Sequence, residues 1–176
     1  MQILIADDDV DAAELYRASL EARGHIVTIT LDGQECVNAY RNAIDRLKQA
    51  GKRSSNTAPF DAVILDYKMP RIDGLEAAKE ILRINVSQRI IFASAFVKET
   101  LMESVKELNQ VMELIQKPFE PDLLVDLVED TTMISRLGDL NSLVTDITKK
   151  NGNAPDSGQI DNLLQLLKKI QKSGSI

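Results

Sequence analysis

The sequence predicts an α/β protein: a doubly wound, five-stranded parallel sheet followed by extra helices at the C-terminal end. Three observations lead there. Short apolar runs alternate with amphipathic helical segments five times over residues 1–135. The third run, Ala62-Val63-Ile64-Leu65, is apolar at every position, as a strand covered on both faces must be. Four of the runs lead directly into a chemically active residue: Asp7, Asp66, Ser94 and Lys117. In a parallel sheet those strand ends share one edge, the edge where open α/β sheets place their ligands.

In chain order, Gln2 to Ala6 is a short apolar strand that runs into Asp7-Asp8-Asp9. Val10 to Ala22 reads as an amphipathic helix, with Leu15, Ala18 and Leu20 among its apolar positions and Gly24 as its stop. His25 to Thr30 is rich in β-branched residues and predicts the second strand. After the Asp32-Gly33 turn, Gln34 to Ala50 predicts a helix with Val37, Tyr40, Ala43, Ile44 and Leu47 on one face. Gly51 to Pro59 is polar and turn-rich, hence a loop, and its Lys52-Arg53 pair is too short for a nucleic-acid patch. The central strand ends at Leu65, and Pro70 and Asp73-Gly74 mark the loop after Asp66. A helix is predicted over residues 75–84, a fourth strand over 89–93, a helix over 98–108 and a fifth strand over 113–116. The last helix of this series is predicted over 121–135, with Leu123, Leu124, Leu127 and Val128 facing inward.

Composition narrows the function. Of 176 residues 44% are hydrophobic, enough for a core without disulfides, and Cys36 is the sole cysteine. That points to a reducing compartment, and Cys36 and the single histidine, His25, read as structural. No apolar run approaches the ~20 residues a membrane span needs. Asp7, Asp8 and Asp9 fall where a signal peptide would be apolar, so the expected location is cytoplasmic. The net charge of −6 is uneven: residues 1–136 carry −7 and residues 137–176 carry +1. An acidic body disfavours broad binding to a phosphate backbone, so no nucleic-acid partner is expected.

Three carboxylates gathered at one edge repel one another unless a cation joins them. Mg²⁺ suits them: a hard, octahedral ion that takes roughly one to three carboxylates and keeps some water. Lys117 supplies a compact positive charge for a phosphoryl oxygen, and Ser94 a hydroxyl that can donate to one. Together these are the parts for phosphoryl transfer to an aspartate.

Asp7-Asp8 after the first strand, Asp66 after the third with Met69-Pro70 and Asp73-Gly74 behind it, Ser94 after the fourth, and Lys117-Pro118-Phe119 after the fifth form a set. Each motif is weak alone; in this order and on these elements the chain resembles a response-regulator receiver domain of two-component signalling, over about residues 1–130. The resemblance implies a flavodoxin-like receiver fold, with the receiver domain taken as 1–135; residues 136–176, on which the resemblance says nothing, read as a helical extension. It implies that Asp66 is the phosphoacceptor, charged by a histidine kinase or phosphotransfer protein. Asp8 would ligate Mg²⁺ directly, Asp7 through water, and the Lys68 backbone carbonyl would add a ligand, alongside Asp66. Lys117 would pair with the phosphoryl group and Ser94 would swing to bond it. Lys68 and Phe96 would tune the lifetime of the phosphoryl group. Asp9 would cap the following helix or simply add to the local negative field.

Two departures from the family stand out. The switch position three residues before Lys117, usually aromatic, is Leu114. The connection after Leu108 (NQVME) lacks the usual small-residue turn, on a face that in this family meets partners.

The tail predicts a short helix over 139–150 with Leu140, Leu143, Val144 and Ile147 in a stripe, a turn-rich break over 151–158, and a helix over 159–172. The last carries Ile160, Leu163, Leu164, Leu167 and Ile170 at helical spacing, with Lys168, Lys169 and Lys172 suited to a helix C-terminus. Forty residues are too few, and too leucine-rich, for the family's DNA-binding output domains. The expected task is therefore docking of a downstream protein partner or formation of a homodimer. The competing reading is a degenerate receiver serving as a phosphorylation-independent scaffold, for which Leu114 is the support. A Mg²⁺-dependent phosphohydrolase with an aspartate nucleophile would want a second aspartate two residues on, where Lys68 stands.

Overall fold

The computed structural model describes residues 1–51, 57–151 and 155–173, without the side chains of residues 150, 151, 172 and 173. The Lys52-Arg53 pair and most of its loop, part of the break expected over 151–158, and the Lys172 side chain therefore lie outside the described residues. Five strands form one parallel sheet in the order β2-β1-β3-β4-β5, with helices between successive strands. The chain forms two compact units, residues 1–93 and 94–176.

The first unit holds β1 (Gln2–Ala6), α1 (Val10–Ala22), β2 (Ile26–Thr30), α2 (Gly33–Gln49), β3 (Ala62–Asp66), α3 (Gly74–Ile84) and most of β4 (Ile90–Ser94). Every residue of β3 and β4 is buried, as the continuous apolar runs require. Strand β2 lies at the sheet edge and is partly exposed, yet the Thr30 hydroxyl donates to the Ile5 carbonyl at 2.9 Å and pins its end. The register places Ala6 beside Leu65. The next residues, Asp7 and Asp66, therefore sit side by side where β1 and β3 end.

Helix α1 corrects the predicted face. It buries Ala13, Tyr16 and Leu20, while Leu15 is 52% exposed and Ala18 is exposed. Residues 13, 16 and 20 follow the i, i+3, i+7 stripe, and Tyr16 takes the place the sequence reading gave to Leu15. In α2, Val37, Tyr40 and Ile44 are buried as expected, and the Tyr40 hydroxyl donates to Gln88 Oε1 at 2.9 Å. Cys36 is fully buried, and that burial pushes its thiol up to about 12. Met1 and His25 lie together at the start of the sheet, the terminal amine 3.5 Å from His25 Nδ1.

The second unit holds α4 (Val97–Leu108), β5 (Glu113–Gln116), α5 (Pro121–Glu129), α6 (Met133–Asn151) and α7 (Ser157–Ser173). The helix expected over 121–135 stops early. The Asp130 carboxylate accepts from the Thr132 N–H (2.9 Å) and the Thr132 hydroxyl (2.6 Å), a side-chain turn that competes with helix. Residues 133–135 therefore begin α6, which also absorbs the short helix expected over 139–150. Leu124, Leu127 and Val128 face inward as predicted, with Val125, but Leu123 is exposed. In α6 Leu140 and Val144 are buried and Leu143 is exposed.

Helix α7 starts two residues earlier than expected because Asp156 and Gln159 cap it reciprocally. The Gln159 N–H donates to Asp156 Oδ1 and the Asp156 N–H to Gln159 Oε1, both at 2.9 Å. Its Ile160, Leu163 and Leu167 are buried. The unusual exit from α4 is solved by Asn109, which adopts the left-handed conformation (φ 58°) that asparagine tolerates after a helix. The Asn141 carboxamide of α6 then brackets the next turn, accepting the Val111 N–H at 2.5 Å. Among the described residues no helix is long and apolar enough to cross a membrane.

Candidate functional site

The carboxylates of Asp7, Asp8 and Asp66 converge, each offering an oxygen within 4.8 Å of the others. Asp7 and Asp66 are buried and Asp8 is exposed. Local backbone donors fix two of the three. The Asp9 N–H donates to Asp7 Oδ1 at 3.2 Å, and the Lys68 N–H to Asp66 Oδ2 at 3.1 Å. Asp9 takes no part in the cluster: its carboxylate caps α1 by accepting from the N–H groups of Asp11 and Ala12 at 3.1 Å, as expected. Three hard oxygen donors in one partly open cluster match the needs of a small divalent cation such as Mg²⁺, which would also relieve their mutual repulsion.

The loop behind Asp66 is held closed. The Gly74 N–H donates to the Tyr67 carbonyl at 3.1 Å, and the Asp73 carboxylate caps α3 through the Glu76 N–H at 2.9 Å. A Cβ at Gly74 would fall 2.2 Å from the Asp66 carbonyl oxygen, so this contact admits only glycine. Lys68 points out, its Nζ 4.7 Å from the centre of the Tyr67 ring.

One element of this loop had no signal in the sequence. Arg71 adopts a positive φ of 66°, which costs a non-glycine residue about 1 kcal/mol or more. Its guanidinium pairs with the buried carboxylate of Asp32 and lies 3.6 Å from that of Glu35. Asp32 also caps α2, accepting the Glu35 N–H at 2.8 Å. At the same place Gly33 lies against the Ile72 carbonyl, where a Cβ would come within 2.3 Å of the oxygen. The loop carrying Lys68 is thus fastened to the start of α2, thirty-nine residues away in sequence. Arg71→Gly should relieve the backbone while cutting the fastening, and Arg71→Ala should do only the latter. The expected outcome is weaker Mg²⁺ binding by titration calorimetry in both variants, by about three- to ten-fold, with the larger loss of thermal stability in Arg71→Ala.

In the second unit Ser94 is buried, and its hydroxyl is tied to the start of α4. Its Oγ accepts the Phe96 N–H at 2.9 Å and lies 2.8 Å from the Thr100 hydroxyl. Thr100 is also 2.9 Å from the Phe96 carbonyl. Thr100 has one proton, so when it donates to Phe96 it is the Ser94 hydroxyl that donates to Thr100. Lys117 follows β5 and its N–H donates to the Ser94 carbonyl at 2.9 Å, ahead of a cis peptide bond to Pro118. Leu114 is buried in β5, and Phe96 is 55% exposed at the start of α4. Thr100 was absent from the sequence reading, although its place one helical turn beyond Phe96 could have suggested it.

Comparison with known proteins places this arrangement. The family model for the response regulator receiver domain matches residues 3–129. The transcriptional regulatory protein PdtaR of Mycobacterium tuberculosis is 32% identical over 146 residues, covering 81% of this chain and 60% of that protein. Probable histidine kinase 2 of Oryza sativa is 28% identical over 132 residues, 73% of this chain but 12% of the kinase. The chain thus spans only part of the length of these curated relatives. Among solved structures, the receiver domain of the Francisella response regulator 1452 is similar with a TM-score of 0.54 at 25% identity, covering 77% of this chain and 97% of that one. The CheX-CheY-BeF3-Mg complex from Borrelia burgdorferi gives a TM-score of 0.60 at 25% identity, covering 75% and 89%. The family consists of signalling modules rather than metabolic enzymes, and its members partner with histidine kinases. This chain belongs to the response regulator receiver domain family, with residues 3–129 as the receiver domain and additional helices after it.

Proposed function

We propose that this chain is a phosphorylation-dependent response regulator that accepts a phosphoryl group on Asp66 from a histidine kinase or phosphotransfer protein. The observation that carries the reading is the convergence of Asp7, Asp8 and Asp66 at the adjoining ends of β1 and β3. Asp8 and Asp66, the Lys68 carbonyl, and Asp7 through water would hold Mg²⁺. When bound, that ion supplies positive charge opposite the attacking carboxylate and the phosphoryl oxygens.

An Asp66 carboxylate oxygen attacks the phosphorus of a phosphohistidine. The P–O bond forms as the P–N bond breaks, and the imidazole leaves and takes up a proton. Lys117 pairs with the phosphoryl oxygens and Ser94 donates a hydrogen bond to one of them. Water later attacks the phosphorus, releasing inorganic phosphate and the Asp66 carboxylate. Phe96 and Lys68 are the residues that would line the approach of that water, as the resemblance to the family implies. Phe96→Ala should shorten the lifetime of the phosphorylated state several-fold, measured as release of inorganic phosphate after removal of the donor.

The receiver is assigned to residues 1–135 and the extension to 136–176, and the output is a protein contact: a downstream partner or a second copy of the chain. A cytoplasmic location suits a partner kinase that presents its phosphohistidine there. Leu114 in the switch position favours one second reading, a scaffold that works without phosphorylation. Incubation with acetyl phosphate, with Mg²⁺ or with a chelator, separates the two. A Mg²⁺-dependent gain of one phosphoryl group in intact mass supports the first; absence of both phosphorylation and Mg²⁺ binding supports the second.

A further inference from the structure

Helix α7 ends at the two positions a receiver would use to report its state. At its N-terminal end Asp161 pairs with Lys98, in the first turn of α4, at 2.7 Å. At its C-terminal end the Gln171 carboxamide donates to the Leu114 carbonyl at 2.6 Å, on the strand residue where the family usually places an aromatic. Between these ties Leu163 and Leu167 are buried, as is Ile160 just before the first. From α6, the Arg136 guanidinium donates to the Ile170 carbonyl at 3.1 Å and steadies the helix end.

The same first turn of α4 holds Ser94. A rotation of the Ser94 side chain that carries its Oγ to a phosphoryl oxygen gives up the Phe96 N–H and the bond with Thr100. Lys98 lies two positions beyond Phe96 in the same turn, so loosening this turn moves the anchor of α7. The seat of α7 is also loosely filled. A groove of about 530 Å³ remains between it and β5 and α5, lined by Leu114, Leu123, Leu127, Leu164 and Leu167. A close-packed helix would leave no such space and would lose more contact energy on departure.

We propose that α7 is the resident occupant of the α4–β5 surface, and that phosphorylation of Asp66 releases it through Ser94 and the first turn of α4. This rests on the phosphoacceptor reading above. The surface is therefore closed to a protein partner in the resting chain and open in the phosphorylated one. Leu114 does not need an aromatic rotamer to report the switch, because its backbone carries the report through Gln171. The coupling is reciprocal: whatever loosens α7 favours the phosphorylated conformation by the same factor.

Hydrogen exchange on the full chain tests this, with Mg²⁺ and beryllofluoride as the phosphoryl stand-in. The amides of residues 160–171 should lose protection by about ten-fold or more when beryllofluoride is added. The exposed pair supplies the second arm. Asp161→Lys should raise the beryllofluoride affinity by about two- to five-fold, and Lys98→Glu with Asp161→Lys should return it to the wild-type value. Unchanged protection of α7 in a chain that does take a phosphoryl group on Asp66 overturns the release alone. Failure of the chain to take either acetyl phosphate or beryllofluoride overturns the phosphoacceptor reading and the release with it.

Discussion

Asp66→Asn leaves the chain folded, slightly more stable, and unable to take a phosphoryl group. The carboxamide oxygen still accepts the Lys68 N–H that holds Asp66 Oδ2 at 3.1 Å. What disappears is one negative charge from three carboxylates whose oxygens lie within 4.8 Å. In the absence of divalent cation that removes repulsion on the order of 1–3 kcal/mol at an intermediate effective dielectric. Thermal unfolding in a chelating buffer should therefore show a midpoint equal to or above the wild type. Addition of Mg²⁺ should then raise the wild-type midpoint by mass action and move the variant little. Intact mass after acetyl phosphate treatment should show no addition. The opposite pattern, a destabilised variant, would mean that Asp66 is held by favourable contacts outweighing its neighbours' repulsion. That outcome would weaken the case for a cation site.

Gly74→Ala should be the most disruptive single-methyl change near the pocket. The new Cβ would lie 2.2 Å from the Asp66 carbonyl oxygen, 3.1 Å from its carbon and 3.2 Å from the Tyr67 Cα. All three are backbone atoms, so no rotamer change relieves the clash. Either the start of α3 or the end of β3 must shift, at a cost of about 1–3 kcal/mol or more. For a chain of this size that lowers the thermal midpoint by roughly 3–10 °C. The shift falls on the residue proposed as phosphoacceptor, so phosphorylation should slow as well. Gly138→Ala in α6 is the control: nothing lies within 4 Å of its Cβ. It should gain about 0.5–1 kcal/mol from helix propensity alone.

The sheet was legible because its signals are local. Apolar runs such as Ala62–Leu65 announce buried strands, and the residue after each run announces the site edge. The cap at Asp9 is likewise short-range, whereas Asp32 and Asp73, legible only as turn and loop residues, also cap α2 and α3. Helix faces were read less well where a large amphipathic residue competed with an aliphatic one. Tyr16 went inside and Leu15 outside, because the stripe is set by the neighbours of Ala13 and Leu20 rather than by hydrophobicity at each position. The end of α5 was missed because Asp130 breaks the helix through its side chain, with no glycine or proline to mark the place. The Arg71–Asp32 fastening and the Gln171–Leu114 tie were out of reach for a different reason. Each joins residues far apart in sequence through groups that look like ordinary surface polarity until the fold brings them together. Asn109 lies between these cases: an asparagine just past a helix is a recognised substitute for glycine in the left-handed position.

Asp66, and no other side chain, is expected to receive the phosphoryl group. The most direct measurement is borohydride trapping of the acetyl phosphate-treated chain in Mg²⁺, followed by peptide mass mapping. Borohydride reduces an aspartyl phosphate to homoserine, so the expected result is homoserine at position 66 and unmodified residues at 7 and 8. Homoserine at position 7 or 8, or a phosphoryl group that resists borohydride, would place the phosphoryl group on another side chain and rule out Asp66 as its acceptor.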